Sequence, residues 1–141
     1  MRTIKFRGKV KGKSDWVYGS LLVYGDGEYN IHVPRKHNYK LDAWNVVPET
    51  VGQYTGLKDG KGNEIYEGDI VNWLSIRNGG IGFVEEGVVE FRVNEQAYVV
   101  INRISTKDNR ESVCNILRCR RDLKVIGNIY DNPELMKGGA E

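Results

Sequence analysis

Four residues of this chain have side chains that could ligate a metal: His32, His37, Cys114 and Cys119. Imidazole nitrogen and thiolate sulfur are the donors that structural zinc takes, four at a time. Here each pair is split by four residues and the pairs lie far apart, whereas a zinc knuckle sets its two cysteines two residues apart. The four therefore read as a strand histidine (His32), a loop histidine (His37) and two partly buried thiols. Neither a metal nor any other cofactor is expected. Two cysteines without an export signal point to free thiols in a reducing, cytoplasmic setting, so no Cys114–Cys119 disulfide is expected either.

The stretch VGQYTGLKDGKGNEIYEGDIV, Val51 to Val71, raises phosphate chemistry, because it is glycine-rich and sets Lys61 beside Gly60. A Walker-type loop needs four residues between its first glycine and the Gly-Lys, then a hydroxyl residue for magnesium, then a helix. Gly56 and Gly60 enclose only three residues, Gly62 stands where the hydroxyl belongs, and the β-prone Ile65-Tyr66 follows. Asp59-Gly60 between two β-prone runs predicts a hairpin instead. Nucleophilic catalysis has no Gly-x-Ser-x-Gly elbow to work from. The adjacent carboxylates Glu85 and Glu86 would point to opposite faces of a strand, a poor acid/base pair. The chain is not expected to be an enzyme.

Binding is the remaining class, and charge placement is its main signal. The net charge is only +2, yet residues 1–13 carry six basic side chains and no acid, while residues 63–98 sum to −5. In TIKFRGKV, Ile4, Phe6 and Val10 alternate with Lys5, Arg7 and Lys9, which predicts a half-buried strand with a solvated basic face. Same-face cations on such a strand stand about 6.7 Å apart, comparable with phosphate spacing along a nucleic-acid strand, and Trp16 and Tyr18 could stack on bases. The plainer account is a strand that must put something soluble on its open side, with lysine guarding an edge. Trp44, Tyr66, Trp73 and Tyr98 are candidates for a protein-interaction surface. The charge asymmetry would equally let two copies dock head to tail.

The elements that must carry these residues read as strands throughout. WVYGSLLVYG, EYNIHVP, EGDIVNWLSI, EGVVEFRVN, AYVVINRI and KVIGNIYD are short β-prone runs with glycine or polar turns between them. In EGDIVNWLSI the apolar Ile70, Val71, Trp73, Leu74 and Ile76 fill both strand faces, as a small barrel requires. Residues 35–43 are polar and aperiodic and read as a loop, and VCNILRCRRDL is ambiguous between strand and helix. Asn132-Pro133-Glu134 predicts a terminal helical turn with Asn132 as N-cap. No apolar run approaches the roughly 20 residues of a membrane span.

IKFRGK near the start, Trp16 to Gly19, the central block Val51–Val71 and VIGNIYDNPEL near the end resemble the YopX family, in order and in spacing. The resemblance implies a small phage- or prophage-encoded protein without an assigned activity or catalytic residues. It also implies an all-β fold with an N-terminal β-rich part (1–63) and a small SH3-like barrel (64–141). The two are expected to form one cooperative unit, because Val51 to Val71 links them through strands with no linker composition. The expected function is a non-catalytic cytoplasmic protein that binds a protein partner or itself as a homo-oligomer. Nucleic-acid binding through Lys5, Arg7 and Lys9 is the alternative.

Overall fold

The computed structural model describes residues 1–36, 40–76, 79–80, 82–102, 112–119 and 122–136. The regular structure of the described chain is almost all antiparallel strand, and the chain divides into two compact units, Met1–Gly56 and Leu57–Glu141. The division falls inside a strand, between Gly56 and Leu57. Among the described residues no helix is long and apolar enough to cross a membrane.

The first unit holds β1 (Phe6–Lys9), β2 (Trp16–Val23), β3 (Tyr29–Pro34), β4 (Leu41–Asn45) and the start of β5 (Gly52–Lys58), in the order β4-β3-β2-β1-β5. β1 is thus interior, with β2 on one side and β5 on the other, so its lysines do not guard an edge. β4 begins at Leu41, inside the stretch that reads as loop, because Ile31 opposite Trp44 and His32 opposite Ala43 draw it into the ladder. The sheet curls. Beyond β4, Val46 bridges Val10 just past β1, while Lys11 N–H donates to Asn45 and Val47 N–H donates to Lys9. Ile31, Val46 and Val10 fill the inside of the curl. A side chain at Gly19 would run into the His32 carbonyl, so β2 can approach β3 this closely only with glycine there.

In the second unit, the end of β5 and β6 (Glu64–Tyr66) form the expected hairpin across Asp59–Asn63. β7 (Asp69–Ile76), β8 (Gly82–Arg92), β9 (Ala97–Asn102), β10 (Ser112–Asn115) and β11 (Lys124–Asn128) make a sheet in the order β10-β9-β8-β7-β11. The ladder has two end strands among the described residues, β10 and β11, and is not closed between them. One face of the sheet, with Val71, Trp73, Val89, Tyr98 and Val100, packs with Ile65, Ile116 and Leu123 into the unit's core. The ambiguous VCNILRC resolves as strand β10 followed by one helical turn, Ile116–Cys119. The chain closes with a 3-10 turn at Pro133–Met136. The Asn132 side chain turns back to accept the Asn128 N–H at 3.2 Å instead of capping that turn from its N-cap position.

Candidate functional site

Lys5, Arg7 and Lys9 share one face of the first sheet, because Arg7 stands opposite Tyr18 and Lys9 opposite Trp16. The face is not the solvated basic row expected. Arg7 is only 6% exposed and Lys5 and Lys9 are half-buried, while Ile4, assigned inward, is exposed. Lys5 and Arg7 each lean diagonally across the ladder onto an aromatic ring. The Arg7 guanidinium lies 4.9 Å from the centroid of Trp16, and the Lys5 ammonium lies 6.0 Å from that of Tyr18. Such contacts offset part of the desolvation of a half-buried cation. They also place the chain's own cations on the rings that would have to stack on bases. The β1–β2 turn repeats the device on the opposite side, where Lys13 lies 5.5 Å over Trp44.

Trp44, Tyr66, Trp73 and Tyr98 do not assemble into the expected aromatic surface. Tyr66, Trp73 and Tyr98 are buried, at 2%, 6% and 9% exposed. Large aromatic faces are the most effective filler for a small core, and this unit uses them so. The Tyr66 hydroxyl donates to Glu64 at 2.6 Å, and Tyr98 meets Phe91 edge-to-face at 5.1 Å. Only Trp44, in the first unit, is exposed.

Among the metal candidates, His32 lies on β3 with its Nε2 buried and without a hydrogen-bond partner. Cys114, on β10, is a free thiol whose Sγ–H donates to the Asn115 carbonyl at 3.5 Å. His37 and the Cys119 side chain lie outside the described residues. Among the described residues no group of three His, Cys, Asp or Glu is placed to hold a metal.

The glycine-rich loop is built around Asp59 and not around a ligand. Asp59 is 6% exposed. Its Oδ1 accepts the N–H groups of Lys61 and Asn63, both at 2.9 Å, and its Oδ2 accepts the Asn63 side-chain amide and the Val125 N–H. Burial alone would push this carboxyl up. The Asn63 amide and the N–H groups of Val125, Asn63 and Lys61 outweigh it and hold the carboxyl below its ordinary value. A carboxylate so fully engaged has no acceptor capacity left for chemistry.

What sequence reasoning missed is the outer end of β7 and β8. Among the described residues β11 pairs with β7 only through Asn72, and β9 pairs with β8 only from Val88 onward. Beyond those points β7 and β8 go on pairing with each other, with Leu74 opposite Val84 and Ile76 opposite Gly82. Leu74, Ile76, Phe83 and Val84 are exposed at 49%, 69%, 47% and 67%. Leu74, Ile76 and Val84 share one face, and Phe83 takes the other with Ser75. Their alternation in sequence is indistinguishable from that of a strand buried on both sides. A separate hollow at the β8–β9 turn is lined by the consecutive residues Phe91 to Glu95, a surface dip on a single turn.

Two antiparallel sheets, one with a cation-on-aromatic face and one with an exposed apolar end, define a small all-β protein. The model of the YopX protein family matches residues 5–137, and the chain belongs to that family. A crystal structure of protein EF1440 from Enterococcus faecalis is similar at a TM-score of 0.50 and 19% identity, covering 96% of this chain and 99% of that one, a likeness of fold alone. No curated protein matches the sequence.

Proposed function

We propose that this is a non-catalytic binding protein that grips a protein surface with the β7–β8 ribbon. The observation that carries the reading is the ribbon itself, four large apolar side chains held exposed where β7 and β8 pair beyond the described ends of β11 and β9. A two-stranded hairpin is marginal on its own, and a soluble protein that keeps an apolar end on one gains little unless something covers it. The same reading takes the protein to be phage- or prophage-borne and to act in the cytoplasm. Nucleic-acid binding through Lys5, Arg7 and Lys9 draws less support, because Arg7 is buried and the neighbouring rings are engaged. The test is a photo-crosslinking residue placed at Val84 in the full chain, in the producing cell. A covalent adduct with any protein, absent when the crosslinker stands at the exposed turn residue Gly25, is the expected result. No adduct at Val84 would overturn the reading.

A further inference from the structure

The chain holds two Asp-Gly pairs, Asp26-Gly27 and Asp59-Gly60. Such a pair can rearrange without an enzyme. The glycine nitrogen attacks Cγ of the aspartate, a C–N bond forms, and a side-chain oxygen departs as water to leave a five-membered succinimide. Water then adds back to one of the two ring carbonyls. Opening at the side-chain carbonyl restores aspartate. Opening at the main-chain carbonyl gives isoaspartate, whose backbone runs through Cβ and Cγ and leaves the α-carboxylate as the side group. Glycine favours the attack because it has no Cβ to crowd the closing ring.

We propose that Asp26 is a site of spontaneous isoaspartate formation, and that the hydrogen bonds of Asp59 protect it from the same reaction. Both pairs stand at the tip of a hairpin, and they differ in what holds the carboxylate. Asp59 is buried, with both oxygens occupied. Turning its Cγ toward the Gly60 nitrogen would strip the N–H groups of Lys61, Asn63 and Val125 of their acceptor. The Gly60 nitrogen is itself tied to the Leu123 carbonyl, at 3.3 Å. The donors around Asp59 also keep it ionised, and a carboxylate is the poorer electrophile. Asp26 lies in the turn between β2 and β3, in a run from 22 to 28 where every residue is exposed. Among the described residues one donor meets its carboxylate, the Glu28 N–H at 3.0 Å. The Gly27 N–H bonds the Tyr24 carbonyl at 3.0 Å, and the space where a Gly27 Cβ would stand is open. Both bonds are at the surface, where water replaces a broken hydrogen bond at small net cost. The tip can therefore open for attack without uncovering anything buried.

Isoaspartate inserts one extra atom into the backbone between positions 26 and 27. The turn is closed by the Tyr24 N–H on the Glu28 carbonyl at 2.8 Å, next to the Val23–Tyr29 pair of the ladder. A longer connection strains that closure, so the β2–β3 hairpin should fray from its tip as the protein ages.

The test is to age the full folded chain for weeks in warm neutral buffer, digest it, and separate the peptides. An isoaspartyl peptide keeps its mass, elutes apart from its parent, and is located by electron-transfer fragmentation. Deamidation at Asn78-Gly79 changes the mass and maps to another position, so it is kept apart. Asp26 is expected to convert at least about tenfold faster than Asp59, roughly the factor for one buried N–H left without its acceptor. In concentrated urea the two pairs should convert at similar rates, which shows that the fold sets the difference. Equal rates in the folded chain, faster conversion at Asp59, or conversion at Asp26 in urea alone would each overturn the proposal. Asp26→Glu keeps the charge but would have to close a less favourable six-membered ring, so its melting curve should survive ageing better than that of the wild type. Equal change in the two would overturn the effect on the hairpin.

Discussion

Asp59 Oδ2 accepts the backbone N–H of Val125 at 3.1 Å, joining positions 66 residues apart. The carboxylate closes the β5–β6 hairpin with one oxygen and ties it to the start of β11 with the other. Asp59→Ala would leave the N–H groups of Lys61, Asn63 and Val125 without this acceptor, a loss on the order of 3 kcal/mol. Asp59→Asn keeps one acceptor oxygen and should fall between the two. The sign with pH follows from the lowered carboxyl. In the unfolded chain it titrates at about 3.9, so its stabilisation is complete above that value and is lost as pH falls through the lower folded one. Urea midpoints at pH 7 and at successively lower pH measure both effects, and the gap between wild type and Asp59→Asn should narrow as pH falls below the unfolded-state value. Curves that stay parallel would mean the carboxylate does not carry the link.

Gly19 makes a second prediction, on packing. A Cβ there would overlap the His32 carbonyl, a backbone atom that no rotamer change can move aside. Gly19→Ala should therefore destabilise the first unit by about 2 kcal/mol or more, the range for overpacking a tight site. Gly25 has open space around it and an ordinary backbone conformation, so Gly25→Ala should leave the melting temperature unchanged or raise it slightly. Equal melts for the two variants would contradict the close approach of β2 to β3.

How much of this could be read from the sequence depended on how local each cause was. The hairpin at Asp59-Gly60 and the turn at Pro133 were legible because turn chemistry is written in adjacent residues. The all-β class followed from short β-prone runs in the same way. Leu41 to Ala43 were not legible as strand, since three residues at the end of a polar run are too few to show a period and only the ladder to β3 extends them. Nor was the ribbon. Ile70, Val71, Trp73, Leu74 and Ile76 are equally apolar, and which of them are covered depends on where β11 and β9 stop, a tertiary fact. Arg7 was misplaced for a related reason. Alternation assigns a cation to the open face, and no pattern in TIKFRGKV shows that Trp16 lies against its guanidinium.

That placement of Arg7 separates structural from binding roles among the three cations. Arg7→Ala removes a buried cation and uncovers the face of Trp16, so it should cost about 2 kcal/mol of stability through lost packing as well as lost charge. It should also shift tryptophan emission in the folded protein. Lys5→Ser with Lys9→Ser takes away half-buried cations whose stems are partly solvated, and should change the melting temperature much less. Retention of a mixed DNA and RNA pool, measured at low and high salt, then tests the nucleic-acid alternative on the Lys5/Lys9 variant alone, because the Arg7 variant confounds binding with folding. The expected outcome is no difference between wild type and variant at either salt. Salt-sensitive binding by the wild type that the lysine variant loses would identify phosphate contacts on this face, since each released counterion steepens the salt dependence.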